Sequence, residues 1–300
     1  MTNYEQPDEQ LKRKSEEWWS NHSQDYLENS SEYYMGAKLH LSDKDFIDYL
    51  DDIDRYFKRD AYFAQERHAS LFKSLLPAGM NGKKVLEVGC GLGSHSEQIS
   101  KSGASLTAID LSNTSVEATK RRFNIKSLNG KILKADAENL PFEDNAFDIV
   151  WSWGVIHHTP NTEKCAEEIE RVLKPNGELR IMLYHKSSLY SWLNVYLKYG
   201  ILSGKLFKHT IQELRNLYTD GRHIGGAPLS KYYTKNEVRS LFNKINFQSQ
   251  ISFEQKKVIS NIFPKSWRSK IEYCIPDKFY TFLMARVGFL LFSIGNKIEK

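Results

Sequence analysis

Cysteine is scarce in this chain: Cys90, Cys165 and Cys274 are the only three among 300 residues. An odd number so far apart builds no disulfide framework, and no CxxC or Cys/His spacing offers a metal site. A membrane span is missing as well. The nearest approach, Phe279 to Ile294, has only 16 residues and is broken by Arg286, whereas a bilayer needs about 20. The polar start Met-Thr-Asn-Tyr-Glu-Gln-Pro-Asp carries no signal peptide, so a reducing, cytoplasmic setting is expected. Acids run short in the last third. Residues 181–300 hold 7 Asp/Glu against 19 Lys/Arg, while residues 1–60 hold 15 against 8. A basic back and an acidic front mark a face for an anionic substrate, nucleic acid or membrane headgroups, or else two ends that pack together and partly cancel. The second is the plainer reading.

What is present reads as a soluble domain with a cap. Hydrophobic residues make up 40% and charged residues 26%, ordinary values for a globular protein. Residues 1–80 show no strand signal. Aromatic-rich stretches at 16–19 and 26–34 resemble short helices; then Phe46, Ile47, Leu50, Ile53, Tyr56 and Phe57 fall at helical spacing. A further helix is predicted over 61–76, stopped by Pro77 and Gly79. From residue 83 the pattern alternates. Strands are predicted over 84–88, 105–110, 130–134, 147–152 and 178–184, and helices over 94–102, 114–123 and 162–173, with Pro175-Asn176-Gly177 as a turn. That pitch predicts an α/β fold with a doubly wound parallel sheet, binding ligands at the carboxyl ends of its strands.

Residues 186–233 interrupt the alternation as a helical insert after the fifth strand. Thr234 to Glu237 is a capping box, 247–253 has strand character, and Pro276-Asp277 opens an amphipathic helix to about Val287. Gly288 to Ile294 reads as a buried last strand, with an interfacial membrane helix as the alternative.

The chain is organised around Val85-Leu86-Glu87-Val88-Gly89-Cys90-Gly91-Leu92-Gly93. The apolar run suits a strand buried on both faces, and the glycines let the backbone turn tightly and approach a ligand closely. The helix that follows points free N–H groups at whatever sits over the loop. A glycine loop alone is weak evidence, and this one is GxGxG rather than the GxGxxG of dinucleotide folds. Glu87 suits an ammonium or a ribose hydroxyl. Asp110, ending the second strand, suits both hydroxyls of a ribose. Asp136 and Ala137, ending the third, suit the edge of an adenine. Each acid alone is ordinarily a strand-end residue; acids at successive strand ends after a glycine loop are hard to dismiss.

With these residues the chain resembles the class I S-adenosylmethionine-dependent methyltransferases, of the small-molecule type related to the ubiquinone/menaquinone enzymes. The matching stretches are 85–93, Ile109-Asp110-Leu111-Ser112, Ala135 to Phe142, Phe147 to Val150, Gly154 to Asn161 and Arg171 to Gly177. The resemblance implies a Rossmann-like sheet of seven strands with the last antiparallel. It implies a cap over 1–80, a cofactor-binding half over 81–185, an insert over 186–233 that helps build the acceptor pocket, and a sheet completed by 234–300. It also implies S-adenosylmethionine as methyl donor. Gly89, Gly91 and Gly93 would carry its methionine part, with Glu87 near the amino group. Asp110 would hold the ribose, Leu111 would lie against the adenine, and Asp136 and Ala137 would read its edge. Trp153 would lie under the sulfonium, a cation that aromatic faces suit; Trp151 is read as core. Tyr33 and Tyr34 would close over the cofactor, with packing as their alternative role.

His157 is the expected general base, ahead of His158, because an imidazole titrates near neutrality; capping the next helix is the alternative. Leu183-Tyr184-His185 departs from relatives that carry acids at the end of the fifth strand. His185, His223, Lys231, Tyr232 and Tyr233 are therefore alternatives. The expected partner is a small-molecule or lipid-linked acceptor, taken at a hydroxyl ahead of carbon or nitrogen. No metal and no nucleic acid are expected, since the fourth strand runs Ser152-Trp153-Gly154-Val155 in place of an Asn/Asp-Pro-Pro-Tyr motif. Peripheral membrane contact through the basic C-terminal third stays open. The rival readings are a cofactor-binding module without catalysis and a nicotinamide oxidoreductase.

Overall fold

The computed structural model describes residues 7–22, 37–56, 79–253 and 265–299. The helix expected over 61–76, and Tyr33 and Tyr34, lie outside them. Strands β1 (Lys84–Val88), β2 (Ser105–Asp110), β3 (Lys131–Lys134), β4 (Phe147–Trp153) and β5 (Leu173–His185) run parallel in the order β3-β2-β1-β4-β5. Beyond β5 the sheet ends with an antiparallel strand, β8 (Leu290–Lys297), and with β7 (Ile245–Phe253) at the edge. The buried last strand is thus present, held between β5 and β7. Two-residue β6 (Tyr232–Tyr233) pairs with the end of β5 and brings the count to eight. So short a segment leaves no alternation to read.

Both sheet faces are covered, which is why β1 is buried at every position from Val85 to Val88. Val85 and Trp151 pack on one face with Ile99 of α3 (Ser94–Lys101) and Val116 and Phe123 of α4 (Asn113–Ile125). Leu86, Val88 and Val150 pack on the other with Ile169 of α5 (Thr162–Val172) and Val238 of α7 (Lys235–Leu241). Strand order reverses between β1 and β4, so the switch point falls directly beneath the glycine loop. Pro175 to Gly177 breaks the backbone as expected, but within β5. Asn176 has φ 59, and the register jumps from Phe147↔Leu173 to Ile149↔Glu178. The capping box at Thr234 and Glu237 forms.

The cap contributes α1 (Pro7–His22) and α2 (Asp43–Tyr56). Phe46, Tyr49, Leu50 and Ile53 fall on one face of α2 and are buried against Leu92 and Ala118, the apolar residues among them worth about 1.5–3 kcal/mol each over exposure. The contact is locked by Arg122, which is fully buried. Its guanidinium donates to both oxygens of Asp54 on α2, to Glu97 of α3 at 2.6 Å, and to the carbonyl of Leu92 in the glycine loop at 3.2 Å. Burial works against this cation, yet Asp54 and Glu97 hold its pKa above the ordinary arginine value. The acidic front therefore pairs with the middle of the chain, as Asp43 with Arg121 and Asp51 with Lys126 also do.

The insert is less regular than a single amphipathic helix. A π-helix (Ser191–Leu202), a 3-10 turn (Lys205–Phe207) and α6 (Ile211–Tyr218) fold on one another through Val195, Leu214 and Tyr218. Helices α8 (Lys265–Cys274) and α9 (Asp277–Val287) follow β7. Removing one partner of a buried ion pair strands the other charge, so Arg122→Met should lower unfolding stability by about 3–5 kcal/mol. Urea titration followed by circular dichroism measures this loss.

Candidate functional site

A cavity opens at the carboxyl ends of β1, β2, β3 and β4, under α1. Gly89 and Gly91 line it. Gly89 has φ 83, and a Cβ there would collide with the Val155 side chain on the facing loop, so only glycine lets that side chain close on the turn. The amides of Gly89 and Cys90 both donate to Ile109 O, at 2.8 and 2.9 Å, tying the turn to β2. Gly93 does not line the cavity. It opens α3 at φ 81, against Thr119 and Arg122.

Asp110 and Leu111 line the cavity at the end of β2. The two Asp110 carboxylate oxygens accept from Gly91 N and Ser112 N, each at 2.9 Å. This carboxylate thus shapes the turn. Burial raises its pKa, and the backbone N–H groups of Ser112, Gly91 and Leu111 oppose the rise. Asp136 and Ala137 also face the cavity. Lys12 of α1 reaches down to Asp136 at 2.9 Å and Glu138 at 2.7 Å. Burial pulls the Lys12 pKa down, but these carboxylates hold it above the ordinary lysine value. Lys134–Glu16, at 2.5 Å, and the Ser20 hydroxyl donating to Ser112 Oγ at 3.0 Å pin α1 over the same end. Trp153 lies on the cavity wall, stacked on buried Trp151 with ring centroids 5.9 Å apart.

Two more expected residues sit elsewhere. Glu87 does not line the cavity; it is 1% exposed beneath the loop and accepts from Ser96 Oγ. Its side chain alternates with Leu86 and Val88 along β1, a direction that places it under the turn. Burial pushes its carboxyl up to about 8. His157, the expected base, does not line the cavity either. Its ring packs 4.1 Å from Tyr184 and 4.2 Å from His158, with neither nitrogen hydrogen-bonded, and burial drives its pKa well below the ordinary value.

The imidazole on the cavity wall is His158. Its Nδ1 lies 2.6 Å from Leu229 O, and its Nε2 lies 3.5 Å from Asp220 Oδ2. Tyr184, also on the wall, donates to Asp220 at 2.8 and 3.0 Å. Burial lowers the His158 pKa and raises that of Asp220, while their attraction opposes both shifts. His95 also lines the cavity, with Trp151 and Trp153 each 5.3 Å away, and burial brings its pKa down to about 4. Sequence reasoning missed Lys12, His95, Tyr184 and Asp220 as site residues. Only folding brings them together; no local spacing marks them. Among the described residues no His/Cys/Asp/Glu group is arranged to hold a metal.

Comparison with known proteins bears on the domain and the fold. A model of the family described as "Methyltransferase domain" matches residues 86–181. A phthiotriol/phenolphthiotriol dimycocerosates methyltransferase of Mycobacterium ulcerans is 38% identical over 102 residues, 33% of this chain and 37% of the relative. A sterol 4-C-methyltransferase of Caenorhabditis elegans is 35% identical over 95 residues, 31% of this chain and 28% of the relative. The chain thus spans well under half the length of the curated relatives it matches. Among solved structures, a chain of the complex between the Haloferax volcanii Trm112 methyltransferase activator and a putative methyltransferase aligns with TM-score 0.53 at 18% identity, over 83% of this chain and 96% of that one. A SAM-dependent methyltransferase from Methanosarcina mazei aligns with TM-score 0.51 at 17% identity, over 77% and 98%. Residues 86–181 thus match a methyltransferase domain, and the fold is shared with these solved methyltransferase structures.

The folded chain keeps a proton on Glu87 that the unfolded chain releases near the ordinary 4.5. Stability from this group is therefore full below about 4.5 and lost as pH rises toward 8. Glu87→Gln removes the titration, so the variant should gain on the parent progressively over that interval. Urea midpoints measured across pH test it; parallel profiles would show that Glu87 is ionised throughout.

Proposed function

We propose that this chain is a methyltransferase that uses S-adenosylmethionine to methylate a hydroxyl on a small-molecule or lipid-linked acceptor. The observation carrying the reading is the Gly89–Gly91 turn, tied to Asp110 and opening on a cavity whose rim carries Asp110, Asp136 and Trp153 at successive strand ends. The cofactor suits this lining: the glycine turn presents its backbone to the cavity, the strand-end acids suit hydroxyls and an amino edge, and an indole face suits a sulfonium. Bound there, S-adenosylmethionine supplies a methyl carbon already activated by the sulfonium.

The chain's own work is then positioning and exclusion of water. Gly89 and Gly91 would take the methionine part, and Asp110 and Leu111 the ribose and one adenine face. Asp136 and Ala137 would take the adenine edge, for which Lys12 must share Asp136. Glu87 supports the turn from beneath. Its buried, raised carboxyl makes it sensitive to an ammonium brought near the loop, because a nearby cation favours the charged form.

A hydroxyl acceptor must lose a proton. His158 replaces His157 in the proton-accepting role because it lines the cavity. With His158 Nδ1–H donated to Leu229 O, the Nε2 lone pair faces Asp220, and the proton leaving the acceptor hydroxyl would pass to Nε2 and be held there by the Asp220 carboxylate, burial opposing the charged form of each group. Tyr184 orients Asp220. That Asp220 comes from the insert gives the insert a chemical role beyond shaping the pocket. The lipid methyltransferases among the relatives favour a lipid-linked acceptor, while the His158–Asp220 pair favours oxygen over carbon.

Transfer of a labelled methyl group into a lipid extract tests the activity. Asp220→Asn should lower turnover by about 100-fold, the lower end for general acid–base groups. It should leave S-adenosylhomocysteine affinity within a few fold, because Asp220 does not line the cavity. Undiminished turnover in Asp220→Asn would place the proton acceptor elsewhere. Label transfer by neither protein, with S-adenosylhomocysteine still bound, would favour a binding module.

A further inference from the structure

The insert exposes apolar side chains that a folded domain normally hides. Trp192 and Ile201 are each 61% exposed, Leu202 74% and Phe207 94%. They lie on the π-helix and the 3-10 turn behind it, with Leu197, Leu206 and Ile211 also exposed nearby. Scattered exposed apolar residues need no explanation, but a contiguous group of this size marks a site of contact. The interior of the insert is already complete: Val195, Leu214 and Tyr218 form its core, and Leu206 packs on Gly200. The exposed set is therefore surplus to folding.

The charge around this group is mainly positive, and the nearby Glu213 is engaged at the start of α6, where it accepts from Thr210 N at 2.7 Å. Between Lys186 and Gln212 the chain carries Lys198, Lys205 and Lys208 and no acidic residue. The acidic front does not answer this charge through Asp43, Asp51 or Asp54, which pair with Arg121, Lys126 and Arg122. Helix α9 packs at the root of the insert, where Tyr280 and Met284 meet Leu189 and Tyr190, and it exposes Phe279 and Phe282. No helix among the described residues is long and apolar enough to cross a membrane. Exposed tryptophan, phenylalanine and leucine beside lysines, on a short element that cannot span, is the chemistry of a surface lying in the headgroup region of an anionic bilayer.

We propose that the face carrying Trp192, Ile201, Leu202 and Phe207, with Lys198 and Lys208, docks this protein on an anionic lipid surface. The inference does not depend on methyl transfer. It does join that reading, because the same insert continues from α6 to Asp220 behind the cavity wall. A lipid-linked acceptor drawn from the bilayer would then enter beside the His158–Asp220 pair.

The test uses the full chain and sedimentation with vesicles of phosphatidylcholine alone or mixed with phosphatidylglycerol. Binding should favour the anionic vesicles and weaken with salt. The Ile201→Ser, Leu202→Ser, Phe207→Ser triple variant should lose at least about tenfold in partitioning, and Lys208→Glu at least about fivefold. Circular dichroism and S-adenosylhomocysteine affinity should be unchanged in both, which separates failure of docking from failure of the cofactor reading. Absence of binding to anionic vesicles overturns the proposal, as does undiminished binding of the triple variant. A dimer that the same substitutions dissolve, without vesicle binding, would assign the face to a second copy of the chain and equally overturn it.

Discussion

Arg122 is the constraint on which the rest of this molecule depends. One guanidinium satisfies Asp54 from the cap, Glu97 from α3 and the Leu92 carbonyl inside the glycine loop. A planar group with five donors can serve three elements in this way, and a lysine cannot. The loop is held from beneath by this cation, from the side by Asp110, and from the front by Val155. Its shape therefore exists before any ligand arrives, and a preorganised site need not be ordered at binding. The same contact fixes where α2 sits, and α1 adds its own ties to the cavity rim through Lys12 and Ser20.

From that anchor the cavity acquires two unlike ends. The rim near α1 is strongly ionic, with Lys12 between Asp136 and Glu138. Deeper in, the wall is aromatic, with Tyr184 and His158 buried and Trp153 and His95 half-buried. Desolvation there lowers the pKa of both histidines and raises that of Asp220. A nucleotide-like donor suits the first end, and a proton-releasing acceptor suits the second.

Much of this was legible in the chain. Strands β1 and β2 run over the expected residues, since apolar runs ending in Glu87-Val88-Gly89 or in Asp110 declare both strand and turn. The placement of β8 followed from an apolar stretch too short to span a membrane. Side-chain direction was less legible. One residue of offset along β1 separates a carboxylate in the cavity from one beneath the loop, and Glu87 took the second place. Neighbouring His157 and His158 look equivalent in sequence, yet the 3-10 turn they occupy sends only His158 to the wall. Lys12, Tyr184 and Asp220 were illegible for a different reason: each is ordinary in its own segment and meets its partners only across the fold. The π-helix of the insert also escaped, because an apolar helical pattern does not distinguish a wide helix from an α-helix.

The proposed S-adenosylmethionine site is made by the turn, the strand-end acids and the aromatic wall together. Calorimetric titration of the full chain with S-adenosylhomocysteine tests it most directly, with NADH titrated in parallel. The account predicts one-to-one binding of S-adenosylhomocysteine and no heat from NADH. Heat from NADH alone, or from neither ligand, would contradict it.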